Sequence, residues 1–412
     1  MTHSSTQAAG GPPTISAPDS AGERPSRRNR RQEAASWGRS RRGRLGPLPV
    51  VVGLVIIWTI FQFKNDRFLS AQNLTDLALQ IASTGTIAVG LFMVLVVGEI
   101  DLSVGIVSGL AGAILGVLAV NNGVNATLAI VAVVLITLLI GVLHGLIVVR
   151  VRVPSFVVTL AGLIGWQGLE LYVLGNGGSI NFPPSVITDL TSTFLGTPAA
   201  VALGAVLCIG YAATLQVASS RRARAGLRRS STVSNALRVL LLAALLALAI
   251  FELERDRGVP LALLIFIFIV VLVDIIMRKT QFGRHVLAVG GNREAARRAG
   301  IPVDRIRVEV LAFSAMMAGV GGVLSASRLL SVSASAGTGD TLLNAIAAVV
   351  IGGTSLFGGR GSAYSALLGM LLIGSISNGM DLLSLDSSVK LMITGIVLLL
   401  AVSVDALSRA RR

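Results

Sequence analysis

Twelve long apolar stretches follow one another along the chain between residues 48 and 405, separated by short polar segments. An α-helix needs about 17 to 25 apolar residues to cross the ~30 Å hydrocarbon core of a bilayer. The stretches do not alternate with period two, as barrel strands would, so the pattern predicts helices. It therefore predicts an all-α, polytopic transmembrane helical bundle of about 12 spans, with 10–12 as the acceptable range. The predicted spans are 48–63, 73–97, 102–120, 125–149, 155–174, 198–217, 236–253, 260–277, 307–329, 342–358, 361–379 and 388–405.

The basic residues give the orientation, because Lys and Arg near span ends stay in the cytoplasm. With the amino terminus inside, segments on the inside hold 27 of the 35 Lys and Arg residues and segments on the outside hold 4. Both termini are therefore expected to be cytoplasmic. Residues 1–47 are predicted to be a disordered basic tail, 48–405 a transmembrane domain, and 406–412 a second basic tail.

Composition excludes most other classes of protein. Of 412 residues 53% are hydrophobic and 13% charged, whereas a soluble domain has about a quarter charged residues. The net charge of +15 is concentrated in segments predicted to be inside, so no nucleic-acid partner is expected. Cys208 is the only cysteine, and no P-loop or nucleophile elbow occurs. The sequence thus predicts no cofactor, no metal and no enzymatic activity of its own.

Charged side chains inside the predicted spans are few. Glu170 and Arg328 fall near span ends, where long side chains reach the interface at low cost. His144 lies well inside a span and is predicted to be a hydrogen-bonded packing residue in preference to a proton relay. Glycines at helical spacing, such as Gly105 and Gly109, predict close packing of helices. The scarcity of buried charge weakens an ion-coupled secondary carrier, which stays open as an alternative.

Two glycine-rich interruptions break the apolar pattern in a similar way, each between two predicted helices. Transporters use such breaks where the backbone leaves the helix beside a watery cavity. Asp101 or Ser103 is also suited to cap the helix that follows. Tight turns and parts of a transport pathway remain equal interpretations. The candidate residues are Gly98, Glu99, Asp101, Ser103 and Gly105 in the first break, and Gly352, Gly353, Thr354, Ser355, Gly358 and Gly359 in the second.

The predicted inside loop 278–306 contains the signals of a short helix over about 293–299. Asn292 suits the amino cap, Glu294 the first turn and Gly300 the carboxyl cap, and Pro302 prevents continuation. Three alanines give this helix a smooth face that fits a groove of another protein. The candidate docking residues are Asn292, Glu294, Ala295, Ala296, Ala299, Gly300 and Ile301. A solvated amphipathic loop is the alternative.

Four stretches of the sequence resemble the membrane permease subunits of bacterial ABC importers for monosaccharides, the ribose and xylose group. They are GEIDLSVG at 98–105, VPSFVVTLAGLIGWQG at 153–168, GGNREAARRAGI at 290–301 and AIAAVVIGGTSLFGGRGS at 345–362, and NGMDLL at 378–383 follows. The basic insertion 221–229 is similar to that of the xylose-type branch.

The resemblance implies a location and a set of partners. A permease of this family lies in the cell membrane and imports sugar by alternating access, driven by a separate ATP-binding subunit. The segment 292–301 resembles the coupling helix that docks on that subunit. An extracytoplasmic sugar-binding protein, a second copy of the permease and membrane lipid are the other implied partners. D-xylose is the expected substrate; ribose, galactose and branched-chain amino acids are the alternatives.

Overall fold

The computed structural model describes residues 48–226 and 231–410. The predicted tail 1–47, the arginines at 228 and 229, and residues 411–412 lie outside the described residues. Within the described residues the fold is an α-helical bundle, as predicted from the apolar pattern.

The described chain forms fifteen α-helices. In chain order they are α1 (Leu48–Lys64), α2 (Ala71–Val97), α3 (Val104–Gly116), α4 (Ala126–Leu146), α5 (Ser155–Leu174), α6 (Val186–Ser192), α7 (Thr197–Arg224), α8 (Thr232–Glu254), α9 (Leu261–Lys279), α10 (Gln281–Gly291), α11 (Arg293–Arg298), α12 (Val303–Leu329), α13 (Asp340–Ile351), α14 (Ala363–Leu382) and α15 (Ser387–Ala410).

Nine of the helices in the described ranges are long and apolar enough to cross a membrane, among them α3 together with its π-helical continuation to Asn121. The apolar portions of α1, α13 and α15 are shorter, at 10–17 residues. The predicted span 342–358 is wrong in its second half, because α13 ends at Ile351 after 12 residues. Gly353 then turns the chain with a φ of +103°, a backbone conformation that favours glycine.

Two pairs of short antiparallel strands join loops that the Lys and Arg distribution places outside. β1 (Ser179–Asn181) pairs with β4 (Ser331–Ser333), and β2 (Phe194–Leu195) pairs with β3 (Val259–Pro260). The apolar pattern did not predict these strands, because two or three residues are too few to show a period. They link loops that are far apart in the sequence at the outer end of the bundle.

Helices α2 and α12 are the most buried of the nine and run antiparallel through the centre of the bundle. Their glycines bring backbones together, as predicted. A Cβ on Gly90 of α2 would lie 2.9 Å from the Ser314 carbonyl oxygen of α12, and one on Gly141 of α4 would lie 2.4 Å from the Leu311 carbonyl oxygen. α12 thus packs closely against both α2 and α4, and it runs from one end of the bundle to the other.

The histidine predicted to have a packing role has that role. His144 is 3% exposed, and its Nε2 accepts a hydrogen bond of 2.9 Å from Trp166 Nε1 on α5. This bond joins α4 to α5 inside the bundle.

The predicted loop 278–306 is largely helical. Thr280 caps α10 with its side-chain oxygen, which accepts from the Gly283 N–H at 3.2 Å. α10 was not predicted, since its glycines lower helix propensity. α11 follows almost at once and occupies the range predicted for the short helix.

Candidate functional site

In the first break, residues 98–103, the backbone is not helical, and two of its N–H groups donate to side chains of α5. The N–H groups of Ile100 and Leu102 donate to Ser155 Oγ at 3.2 Å and Thr159 Oγ1 at 3.1 Å. Both hydroxyls belong to α5, one helical turn apart. Sequence reasoning missed their role, although they stand in the VPSFVVT motif as two hydroxyls with i, i+4 spacing. These hydrogen bonds from α5 therefore stabilise the non-helical backbone of the break.

The predicted capping role is wrong for Ser103, whereas Asp101 Oδ1 accepts a hydrogen bond of 3.0 Å from the Ser103 N–H at the start of α3. Ser103 occupies the amino-cap position of α3, but its side chain makes no cap bond and donates instead to Asp101 Oδ1 at 2.7 Å. Asp101 is 1% exposed, and its other oxygen accepts from Ser314 Oγ of α12 at 3.0 Å. The carboxylate thus binds both to α12 and to the backbone at the start of α3.

The second break, residues 352–362, meets the first. The N–H of Gly359 donates to the Val96 carbonyl oxygen at 2.8 Å, at the end of α2. A Cβ on Gly358 would lie 3.1 Å from the Cα of Gly98. Both Gly358 and Gly359 have positive φ values, +85° and +75°. Thr354 and Ser355 are buried beside them. The two interruptions that the sequence singled out therefore form one junction.

The carboxyl end of α10 packs onto this junction. A Cβ on Gly290 would lie 1.8 Å from the Val96 carbonyl oxygen and 2.7 Å from the Gly359 nitrogen. Only a residue without a side chain fits there. The predicted cytoplasmic segment consequently contacts the junction of the two breaks at Gly290.

Glu99 links the junction to α11 by one ion pair and to α12 by another. Its Oε1 lies 2.6 Å from Arg293 Nη2, at the start of α11, and 2.6 Å from Arg307 Nε on α12. The Glu99 side chain is 6% exposed, that of Arg307 13% and that of Arg293 40%. A buried carboxylate is stable only when it is paired, and here two guanidinium groups hold it. Arg293 therefore connects the start of α11 to the first break.

α11 has the caps that its sequence predicts. Asn292 Oδ1 accepts from the Ala295 N–H at 2.9 Å. At the other end the Ile301 N–H donates to the Ala296 carbonyl and the Gly300 N–H to the Arg297 carbonyl, a pattern known as the Schellman motif. Gly300 has a φ of +80°.

One of the three alanines predicted to face a partner points inward. Ala296 is 4% exposed and packs in the core of this chain, together with the partly buried Ile301. The orientation of the short helix about its axis instead places Glu294, Ala295 and Ala299 on the outer side, and all three are exposed. Ala296 is therefore a packing residue of the permease.

A polar cavity of about 280 Å³ lies at the opposite, predicted outer, end of the bundle. It is bounded by α2, α3, α12, α13, α14, α15 and the segment 331–341. Of its 27 lining residues, 11 are Ser or Thr, and none is aromatic. The lining includes two basic and two acidic side chains, Arg328, Lys390, Asp340 and Asp381, and an ion pair joins Lys390 to Asp381. The cavity thus combines many hydroxyls with balanced charge.

Three side chains near the cavity have buried polar atoms that lack a hydrogen-bond partner among the described residues. Asn344 is 9% exposed, and its Oδ1 accepts no hydrogen bond. Arg328 Nε is likewise without an acceptor, and Glu170 is fully buried with neither oxygen bonded. The prediction that Glu170 and Arg328 reach the interface is wrong for Glu170, since α5 turns it toward Gly109 of α3.

The face of α3 that carries Gly105 and Gly109 packs against the segment 331–341, which borders the cavity. A Cβ on Gly105 would lie 2.6 Å from the Gly337 carbonyl oxygen, and one on Gly109 would lie 2.1 Å from that of Ala336. Gly105 was predicted as a residue of the first break. It therefore contacts the segment 331–341 and not the junction. Sequence reasoning missed Asn344, whose signal is a lone amide in the apolar stretch from Leu342 to Ile351.

The family model for the branched-chain amino acid transport system permease component matches residues 73–402. The chain belongs to this permease family. Its curated relatives include the xylose transport system permease proteins of Haemophilus influenzae and Escherichia coli K12. Each is 34% identical over 88% of this chain, covering 96% and 92% of the relative. The ribose import permease protein of Bacillus subtilis is 31% identical over 88% of this chain and 92% of its own length.

No solved structure matches the chain. Membership of the family and the nine apolar helices of the described residues together make the chain a multi-pass membrane permease, as the apolar pattern predicted. Hydrolysis of ATP is accordingly not a function of this subunit.

Proposed function

We propose that the chain is the membrane-spanning subunit of an ATP-binding-cassette importer for a monosaccharide, and that D-xylose is its substrate. Similarity to xylose permeases over most of both chains supports the substrate. Similarity to a ribose permease makes ribose the second candidate. Two copies of the chain in membrane lipid, an ATP-binding subunit on the cytoplasmic side and an extracytoplasmic sugar-binding protein complete the transporter.

The observation that carries the mechanism is the contact between Arg293 and Glu99. It joins α11, whose outer surface is free in the described chain, to the junction of the two breaks. In the proposed cycle the ATP-binding subunits close on ATP and displace α11. The ion pair passes this displacement to α2 and α3, and the two permeases change between inward-open and outward-open states. Glu294, Ala295 and Ala299 form the docking surface, and Asn292, Gly300 and the packing of Ala296 and Ile301 position it.

Reconstitution tests the transport function. Proteoliposomes that hold the chain, its ATP-binding subunit and the binding protein are expected to accumulate radiolabelled D-xylose only with ATP. Radiolabelled ribose, galactose and leucine are tested in parallel, and ATP-dependent accumulation of ribose without accumulation of xylose would replace xylose as the substrate. Uptake by the chain alone under a proton or sodium gradient would overturn the proposal in favour of an ion-coupled carrier.

Substitution of an exposed alanine tests the docking surface. Ala295→Trp adds a bulky side chain without disturbing the core, because Ala295 is exposed. We expect loss of xylose uptake and of stimulated ATPase activity, with the normal amount of protein in the membrane. Ala225→Trp is the matched control, since Ala225 is an exposed alanine in the other basic inside segment. Normal uptake by Ala295→Trp would remove α11 from the docking surface.

Loss of one ion pair tests the transmission step. Arg293→Ala leaves Glu99 paired with Arg307, so the fold is expected to remain stable. Uptake is expected to fall about fivefold or more, as for a coupling free energy of about 1 kcal/mol, and Arg293→Lys is expected to restore part of it. Arg255→Ala, at an exposed arginine of the outer side, is the control. Full uptake by Arg293→Ala would show that the contact transmits nothing.

A further inference from the structure

The polar cavity at the outer end of the bundle has the chemistry of a ligand site. Water-soluble ligands of proteins occupy concave sites in which a few polar groups fix the orientation, and drug-sized ligands need about 300–1,000 Å³. The cavity, at about 280 Å³, lies just below that range and so suits a small molecule. Its polarity distinguishes it from the gaps with mainly apolar linings between other helices of the bundle.

The lining indicates an uncharged polyol. Hydroxyl groups donate and accept hydrogen bonds, and amide groups do both as well, so they match the alternating donors and acceptors of a sugar. The charged lining residues balance in sign, and Lys390 and Asp381 neutralise each other. A cavity for an ionic solute would instead carry excess charge of the opposite sign. Contacts of this dispersed kind bind weakly, as a site on a transport route must in order to release its solute.

One helix provides the decisive groups. Thr341 and Asn344 lie one turn apart on α13 and both line the cavity. Asn344 is more than nine-tenths buried, yet its Oδ1 accepts no hydrogen bond within the described residues. A buried amide oxygen without a donor costs free energy, and a ligand hydroxyl in the cavity removes that cost.

We propose that this cavity is a low-affinity monosaccharide-binding site inside a single permease subunit, with Asn344 and Thr341 as ligands of the sugar hydroxyls. The proposal rests on the proposed function, because the sugar must reach the site from the binding protein on the same side. The segment 331–341 closes one side of the site and is held by the glycines of α3. The site accordingly receives the sugar before it passes toward the junction.

Transport kinetics of the complete transporter test the assignment. Asn344→Leu removes the amide at nearly constant volume, and Thr341→Val removes one hydroxyl. Each is expected to raise the KM for D-xylose about three- to tenfold, as loss of one hydrogen bond to an uncharged ligand does. Thr75→Val is the control, since Thr75 is a buried threonine outside the cavity, bonded to the Ala71 carbonyl.

A binding measurement separates the site from its consequences. Millimolar D-xylose, added to the purified transporter without the binding protein, is expected to raise the thermal unfolding midpoint of the wild type but not that of Thr341→Val or Asn344→Leu. Wild-type KM and an unchanged xylose response in both variants would overturn the cavity assignment alone. Failure of the wild-type transporter to import any monosaccharide would instead overturn the proposed function.

Discussion

Gly290 is the residue at which the carboxyl end of α10 touches the end of α2 and the second break. A Cβ there would lie 1.8 Å from the Val96 carbonyl oxygen, well inside van der Waals contact. Gly290→Ala must therefore push α10 away from the junction, and overpacking of this kind costs about 1–3 kcal/mol. We expect a lower thermal unfolding midpoint of the purified chain and reduced uptake of xylose by the complete transporter.

The neighbouring glycine provides a matched control. A Cβ on Gly291 would meet no atom within 4 Å, and its backbone lies in an ordinary region. Gly291→Ala is expected to behave as the wild type in both measurements. Equal unfolding midpoints for the two variants would show that the junction tolerates separation.

At the residue scale the sequence predicts which residues pack closely better than it predicts which way each side chain faces. The GG pair at 290–291 is recognisable as a close-packing signal, but nothing local tells which glycine faces the Val96 carbonyl. Ala296 has the same chemistry as Ala295, and only the docking of α11 onto the core decides which alanine is buried. Glu99 and Arg293 are 194 residues apart. A contact between them depends on tertiary structure, so no local pattern predicts it.

The stability of α11 depends on its caps because the helix has only six residues. Helices shorter than about 12 residues are marginal in water, and capping supplies the missing stabilisation. Asn292→Ala removes the oxygen that accepts from the Ala295 N–H, at a cost of about 1 kcal/mol. We expect faster amide hydrogen exchange in 293–299 and weaker stimulation of the partner ATPase.

The conservative variant isolates the cap. Asn292→Asp keeps an acceptor oxygen at the same position, and aspartate is an equally good amino-cap residue. It is expected to retain near-normal exchange and stimulation. If Asn292→Ala and Asn292→Asp give the same exchange rates, the side-chain cap does not stabilise α11.

At the element scale, capping residues predict ends better than hydropathy does. The end of α11 follows from Gly300 and Pro302, and the structure has it within one residue of the predicted end. The end of α13 was placed seven residues too far, because Leu356 and Phe357 continue the apolar pattern beyond the turn at Gly353. Hydropathy measures the tendency to leave water, and it does not register a change of backbone direction between apolar residues.

In the whole molecule, α2 and α12 connect the two regions proposed to act in transport. Gln80 and Ser83 of α2 line the cavity, and the same helix ends at the junction. α12 pairs with Glu99 through Arg307 near one end and contributes Arg328 to the cavity near the other. Since both helices are central and continuous, a displacement of the junction is expected to reach the cavity. This geometry suits alternating access driven from one side.

The orientation of this axis is testable because Cys208 is the only cysteine in the sequence. In a Cys208→Ser background, Asn122→Cys and Ala295→Cys each place one thiol at an exposed position. The excess of Lys and Arg near α11 keeps that end in the cytoplasm. A membrane-impermeant maleimide is therefore expected to label Asn122→Cys in intact cells, and Ala295→Cys only after permeabilisation. The reverse pattern would invert the bundle, placing the cavity on the cytoplasmic side and α11 out of reach of any ATPase.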